Sequence, residues 1–350
     1  MSSAVAPARS VRDSLVRWLS RVSYIFVWLV LVVLSFWAMA ALYVDVRLPA
    51  LKAPLTILYA LLLVAILAMY KLRIRAALLS FVCFCLVLAW WLSLKPTNQG
   101  DWQADVDRPA WTEIDGDRIV IHNIRNCDYR TETDYSNCWS DRTVNLSDLR
   151  AVDLFFTTWG VRWIGHPILS FEFGDGQHVA FSIEARYKVG QAYSAILGFF
   201  RQYELIFVVA DERDVIRLRT NYRKDEEVYL YRARMGPESA RAIFLTYIQY
   251  LNQLKYHPQW YNALTRNCTT TLDKQISEEV AKPQPWNYQF LLNGTLDELL
   301  YNRGRLVTDD LSFKDLKSRA HINAAAKRAD GSPEFSELIR AGRPGFEDEK

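Results

Sequence analysis

Cysteine and histidine are scarce, with five of each in 350 residues. Five cysteines are too few to staple a chain of this length by disulfides, and five histidines leave little from which to build a metal site. Charge of one sign is missing too. The 42 basic and 39 acidic residues leave a net charge of +3, which argues against a general nucleic-acid binder with its large basic excess. Several chemical signatures are absent: HExxH, CxxC, clustered His/Asp spacings, the G-x-S-x-G nucleophile elbow and any glycine-rich phosphate loop. Metal-assisted hydrolysis, serine-elbow chemistry and nucleotide binding therefore lose their usual markers. No metal, no cofactor and no nucleic-acid partner is expected, and the oligomeric state is left open. The length alone allows about two ordinary domains.

What is present is unevenly spread. The mean hydropathy is near zero, yet the apolar residues pile up before residue 95. Three uncharged apolar runs occupy 23–44, 54–70 and 76–94. Each reaches or approaches the roughly 17–25 residues that cross a bilayer core as a helix. A buried soluble helix would show polar positions every third or fourth residue, and a secretory signal peptide would explain only the first run. Arg9, Arg12, Arg17 and Arg21 precede the first run, and Lys71, Arg73 and Arg75 fill the turn between the second and third. The hairpin between the first two carries only Asp45, Arg47 and Lys52. The positive-inside rule then puts the N-terminus and the 71–75 turn in the cytoplasm and everything after Leu94 outside. Trp90 and Trp91 sit where interfacial aromatics belong. The expected organisation is a disordered basic arm over 1–22, three transmembrane helices within 23–94, an outer domain over 101–312, and a peripheral charged tail over 313–350. Residues 95–100 extend to roughly 20 Å at most, which keeps the outer domain close to the membrane surface.

Alternating patterns predict strands near 118–125, 152–158, 168–173, 178–184, 204–210 and 227–232. Pro237 opens a helix that His257-Pro258 ends. Its stripe of Ile243, Phe244, Tyr247, Ile248, Leu251 and Leu254 reads most simply as a core face. A further helix follows Asn267, and a short one spans 296–301. Strands first and helices later make the outer domain α+β.

Cysteine arithmetic isolates one thiol. Cys83 and Cys85 lie inside the third apolar run. Cys127 and Cys138 flank a polar, turn-rich segment, and an oxidising compartment favours their pairing as a disulfide. Cys268 is then left over. A lone buried cysteine is most simply a packing residue, but its neighbours point to chemistry. Asn267 is a good N-cap, which puts Cys268 at the first helical position. There the helix dipole and free backbone N–H groups lower a thiol pKa and can hold an oxyanion. Such a thiol needs a base.

The candidate base is His166, at the head of the hairpin HPILSFEF-GDG-QHVAFSIE. A two-residue turn would pair Phe171 with Ala180 and Leu169 with Ser182, mixing apolar with polar. A three-residue loop over 174–176, with glycine in the left-handed position, pairs Phe171 with Val179 and Leu169 with Phe181. The second register leaves one face wholly apolar and is preferred. It sets Glu184 opposite His166 and His178 opposite Glu172. Glu184 is thus the candidate orienter of the imidazole; the plainer reading is a solvated strand charge. His178 is a second candidate, placed by its position beside the turn on the exposed side. His122, His257 and His321 have no partner that the sequence identifies.

A histidine on a strand, an acidic or histidine partner on the next, and Asn-Cys opening a helix about a hundred residues later resembles the circularly permuted papain-like thiol enzymes. More closely, 122–340 is similar to the Lnb N-terminal periplasmic domain family. The stretches that carry the similarity are 123–130, 165–171, 200–206, 218–223 and 261–271, with Asn-Cys-Thr-Thr the most specific. The resemblance implies a bacterial inner-membrane protein with a periplasmic papain-like domain, His166 and Cys268 as its His/Cys pair, and acyl transfer on membrane lipids or lipoproteins. In that scheme the Cys268 thiolate attacks an ester or amide carbonyl, and His166 takes the thiol proton and returns it to the leaving group. The Cys268 backbone N–H, helped by Asn262, would hold the oxyanion. Trp159, Trp163 and Trp260 are candidates for an acyl groove, with core packing as the plainer role. Two rivals stand beside this reading: a cell-envelope thiol peptidase or amidase, and a non-catalytic envelope protein with a structural cysteine.

Overall fold

The structure is a computed structural model and describes residues 11–71, 73–136, 139–174, 176–263 and 293–346. The chain divides into two units, Met1–Lys95 and Pro96–Lys350.

The first unit consists of helices α1 (Val11–Asp45), α2 (Pro49–Tyr70) and α3 (Ile74–Ser93). Even the shortest, of 20 residues, rises about 30 Å, the thickness of a bilayer core. All three are long and apolar enough to cross a membrane. They pack through Ala38, Tyr59, Phe84 and Val87, and Trp37 meets both Phe84 and Trp91 edge-on. Phe26, Leu29, Val33, Leu62 and Leu86 remain exposed, an apolar exterior that water would not tolerate. The Trp91 indole N–H donates to Asp45 at 2.7 Å, so the first hairpin lies beside the end of α3. Helix α1 begins at Val11, so the part of the basic arm from Val11 onward is helical, where a disordered arm was expected.

The second unit is built on an eight-stranded sheet. Its strands are β1 (Trp111–Asp115), β2 (Arg118–Arg125), β5 (Trp139–Asn145), β6 (Leu149–Thr158), β7 (Gly165–Phe173), β8 (His178–Arg186), β9 (Glu204–Ala210) and β10 (Glu227–Arg232); β3 (Asp128–Tyr129) and β4 (Tyr135–Ser136) form a separate ribbon. The order is β1-β2-β9-β8-β7-β6-β10, with β5 on β2. All neighbours are antiparallel except β2 and β9, which touch through Arg125 and Ala210. The β7–β8 hairpin has the three-residue register, Leu169 with Phe181 and Phe171 with Val179. Gly176 takes a φ of +78°, the left-handed conformation that such a loop demands of its glycine.

The period of two assigns each strand residue to a face. Odd positions of β7 and β8 turn Phe171 and Phe181 onto helix α5 (Pro237–Tyr256), where Phe244 and Tyr247 meet them edge-on. Even positions build the opposite core with Ile168, Ala180, Ile206 and Val208. The short α6 (Leu296–Asn302) and α7 (Phe313–Ala320) bury Leu296, Leu299, Leu316 and Ala320 in the core on the α5 side, whereas this second face is covered by α4 (Glu212–Arg217) and by the C-terminal helices α8 (Asn323–Arg328) and α9 (Phe335–Arg340). The tail from Phe313 is therefore no peripheral appendage. Ile322, Phe335 and Ile339 are fully buried in this core, and the Arg340 guanidinium bonds Asp153 and Glu212 beneath it at 2.7 Å each.

Candidate active site

The second face of the sheet has polar side chains at both ends and an apolar middle. At one end stand His166 on β7 and Ser182 and Glu184 on β8. Extending the observed pairing of Ile168 with Ser182 by one step along the same face brings His166 opposite Glu184. Their side chains lie 3.8 Å apart and are nearly buried, at 11% and 16% exposure. Ser182 stands between them. Its hydroxyl is 2.8 Å from His166 Nε2 and donates to Glu184 Oε1 at 2.7 Å. The expected direct His–Glu bond is thus replaced by a bridge, because Ser182 and Glu184 are two residues apart on one strand and share a face.

Glu184 also accepts from Arg219 Nη2 at 3.0 Å, and Arg219 Nη1 donates to Glu226 at 3.0 Å. Arg219 sits on the π-helical turn Leu218–Tyr222 that follows α4, a turn type that recurs at functional sites. Burial opposes the Arg219 charge, and Glu226 and Glu184 more than restore it. Burial also opposes the Glu184 carboxylate, but Arg219 and His166 outweigh it and hold the acid well below its ordinary range. His166 goes the other way. Burial, reinforced by Arg219 and against the pull of Glu184, takes its pKa down to about 3. The imidazole is neutral at neutral pH, with Nε2 engaged and Nδ1 without a hydrogen-bond partner among the described residues.

The loops around this end are unusually apolar. Val161, Trp163 and Ile164 before β7, and Val189, Tyr193, Ile196 and Phe199 after β8, are all exposed, Ile196 to 71%. Elsewhere in the second unit the exposed large apolar residues among those described are Ile114, Tyr256 and Leu338. Of the tryptophans proposed for a groove, Trp163 is exposed. Trp159 donates its indole N–H to Glu226 and Trp260 lies under Arg201.

Cys268 and Asn267, its expected N-cap, lie outside the described residues, as does the helix expected after them. The chain on either side of 264–292 is described and is fastened at the His166 end. Ala263 N–H donates to the Gly198 carbonyl at 2.9 Å. Asn293 Oδ1 accepts from the N–H of Gly165, next to His166, at 2.9 Å. Gly294 packs so closely on Arg162 that a Cβ would lie 2.3 Å from its carbonyl oxygen, so only glycine fits. Asn262, the candidate oxyanion donor, is half-buried between Tyr261 and Ala263. Cys127 is buried and its N–H donates to Asp214 at 2.6 Å; its expected disulfide partner Cys138 lies outside the described residues.

At the far end of the same face, His178 pairs with Glu172 as the register requires, but it is buried rather than exposed. Glu212 at the head of α4 lies 3.6 Å from it. Asp153, Glu172 and His178 offer ligand atoms within 4.8 Å of one another. The charge of these carboxylates is met by Arg232, 3.0 Å from Asp153 and 2.9 Å from Glu172, and by Arg340. His122, for which the sequence showed no partner, stacks on Trp111 and bonds Asp141 at 2.8 Å. His321 pairs with Glu227, and His257 is exposed just beyond α5.

No curated protein and no solved structure matches the chain. Residues 135–294, somewhat under half of the chain and less than the 122–340 expected from the resemblance, hold His166, Ser182, Glu184, Arg219 and Cys268. That segment matches the family model described as the Lnb N-terminal periplasmic domain, which, with three helices able to cross a membrane, supports an inner-membrane protein with a periplasmic domain.

Proposed function

We propose that the chain is a membrane-tethered thiol acyltransferase acting on acyl groups of membrane lipids or lipoproteins, with Cys268 as nucleophile and His166 as base on a papain-like, circularly permuted order of elements. The N-terminus is cytoplasmic in this reading. The observation that carries it is the fastening of the Cys268-containing segment by both ends to the His166 end of the sheet. Cys268 is five residues beyond Ala263, within about 18 Å of it even at full extension. His166 meanwhile is uncharged, and among the described residues its Nδ1 has no hydrogen-bond partner, as a general base requires. A proton accepted there would be unwelcome in the buried site until negative charge appears on the Cys268 sulfur, which couples proton transfer to thiolate formation.

In the reaction so framed, the Cys268 thiol gives its proton to His166 Nδ1 and its sulfur adds to the acyl carbonyl. The oxyanion is held by the Cys268 N–H, with Asn262 as a second donor. Collapse expels the leaving group, which takes the proton, and leaves a thioester that an amine, alcohol or water then opens. The exposed Trp163, Ile164 and Ile196 around this end favour an acyl chain over a polar cell-wall peptide. Only Leu94 and Lys95 separate α3 from Pro96, a tether that suits a substrate residing in the lipid layer.

Intact mass spectrometry of lipoproteins from cells carrying the wild type, Cys268→Ala or His166→Ala tests the reading. Each substitution is expected to abolish the wild-type acyl rearrangement. Identical acyl positions in all three strains would sink it.

A further inference from the structure

The four-residue chain His166–Ser182–Glu184–Arg219 has a direction. A hydroxyl has one proton, and an ionised carboxylate only accepts. Arg219 and the surrounding cations keep Glu184 ionised, so the 2.7 Å contact between Ser182 Oγ and Glu184 Oε1 uses the serine proton. The Ser182 oxygen is then left with lone pairs alone toward His166. At 2.8 Å from Nε2, two facing lone pairs would repel, so the proton between them must belong to the imidazole. Arg219 in turn is held from its other side by Glu226, and Glu226 receives the Trp159 indole N–H and lies 3.6 Å from Arg223. The anchor of the relay is thus a buried guanidinium fixed at both ends, and the only hydroxyl in it is Ser182, which is itself fully buried.

We propose that Ser182 is the positioning residue of this site: committed to Glu184, its oxygen accepts the His166 Nε2–H, so that the bare Nδ1 is the nitrogen presented for proton transfer. Hydrogen bonding at one ring nitrogen sets the role of the other. A direct His–Glu bond would also select this tautomer, but it would draw the imidazole toward the charged form; the interposed hydroxyl keeps the geometry and weakens that pull. The inference rests on the reading of His166 as the base only for its purpose. The tautomer itself is a ground-state property and can be measured without turnover.

The test uses the full chain in detergent micelles with 15N-labelled histidine, and His166→Gln to identify the resonance. The wild type is expected to show a protonated, hydrogen-bonded Nε2 and a bare Nδ1 at neutral pH. Ser182→Ala is expected to lower the exchange protection of that N–H by about tenfold, in proportion to one hydrogen bond, and Ser182→Thr to restore it. Cys268→Ala is expected to leave the signature unchanged. A wild-type His166 protonated at Nδ1 overturns the proposal, and that measurement decides even where Ser182→Ala does not fold. Equal protection in the wild type and a folded Ser182→Ala overturns it as well. Unaltered lipoprotein acylation in Cys268→Ala is a separate outcome, which sinks the acyl-transfer reading while the tautomer result stands.

Discussion

His166 is a buried imidazole whose neighbours include more cationic than anionic pull. Its pKa, taken to about 3 from an ordinary 6.5, has a consequence for stability as well as for catalysis. Below pH 6.5 the unfolded chain binds a proton at this position while the folded chain does not, so acid favours unfolding. The sign is the same for Glu184, held below its ordinary 4.5 and able to stabilise only while ionised. The thermal midpoint of the second unit is therefore expected to fall as pH drops from 6.5 toward 4, and His166→Gln to flatten that slope in detergent-solubilised full chain. A slope indifferent to the substitution would assign the acid sensitivity to other groups. The His166–Glu184 juxtaposition was legible in the sequence because a glycine loop and an alternating pattern set the register of one hairpin. Ser182 was equally visible there, but as a polar residue opposite Ile168 it carried no signal. Its role appears only when two side chains on one strand are seen to reach the same ring.

At the scale of elements, the C-terminal helices show what short amphipathic pieces conceal. Helices α8 and α9 each span six residues, too few turns for a periodic pattern to stand out from a charged background. Charge suggested solvent, yet Arg340 is 5% exposed and closes a buried cluster with Asp153 and Glu212. Arg340→Met would leave those two carboxylates without that cation. A loss of roughly 3–5 kcal/mol is expected, as for other buried pairs broken from one side. Urea unfolding followed by tryptophan fluorescence would read it. A change below about 1 kcal/mol would mean that Arg232, the other cation on Asp153, suffices. The core helix α5 presents the opposite case. Its twenty residues carry a full stripe, and the stripe packs on Phe171 and Phe181 as the periodicity implies.

At the scale of the whole molecule, an apolar three-helix unit and a mixed α+β unit meet in sequence at Lys95 and Pro96. The proposed orientation, with the N-terminus in the cytoplasm, rests on the cationic flanks of the first and the 71–75 turn. Protease added to spheroplasts is expected to cut the chain beyond residue 96 and to spare that turn, which should become accessible only in inverted vesicles. Cleavage in the reverse pattern would place the His166 site in the cytoplasm and remove the lipoprotein reading with it. Such a reversal would also end the case for pairing Cys127 with Cys138, since a reducing compartment does not sustain structural disulfides.

The sequence by itself determined whatever depends on neighbours along the chain: three apolar helices, the central strands, the hairpin register and the isolation of Cys268 and His166 among few alternatives. These follow from local periodicity and turn chemistry, which act within a few residues. Tertiary structure alone decided which distant charges meet. Arg219 lies 35 residues from Glu184 and Arg340 lies 128 from Glu212. Nothing in either stretch marks the other, because a buried ion pair is selected by the place where two elements pack and not by any spacing between them.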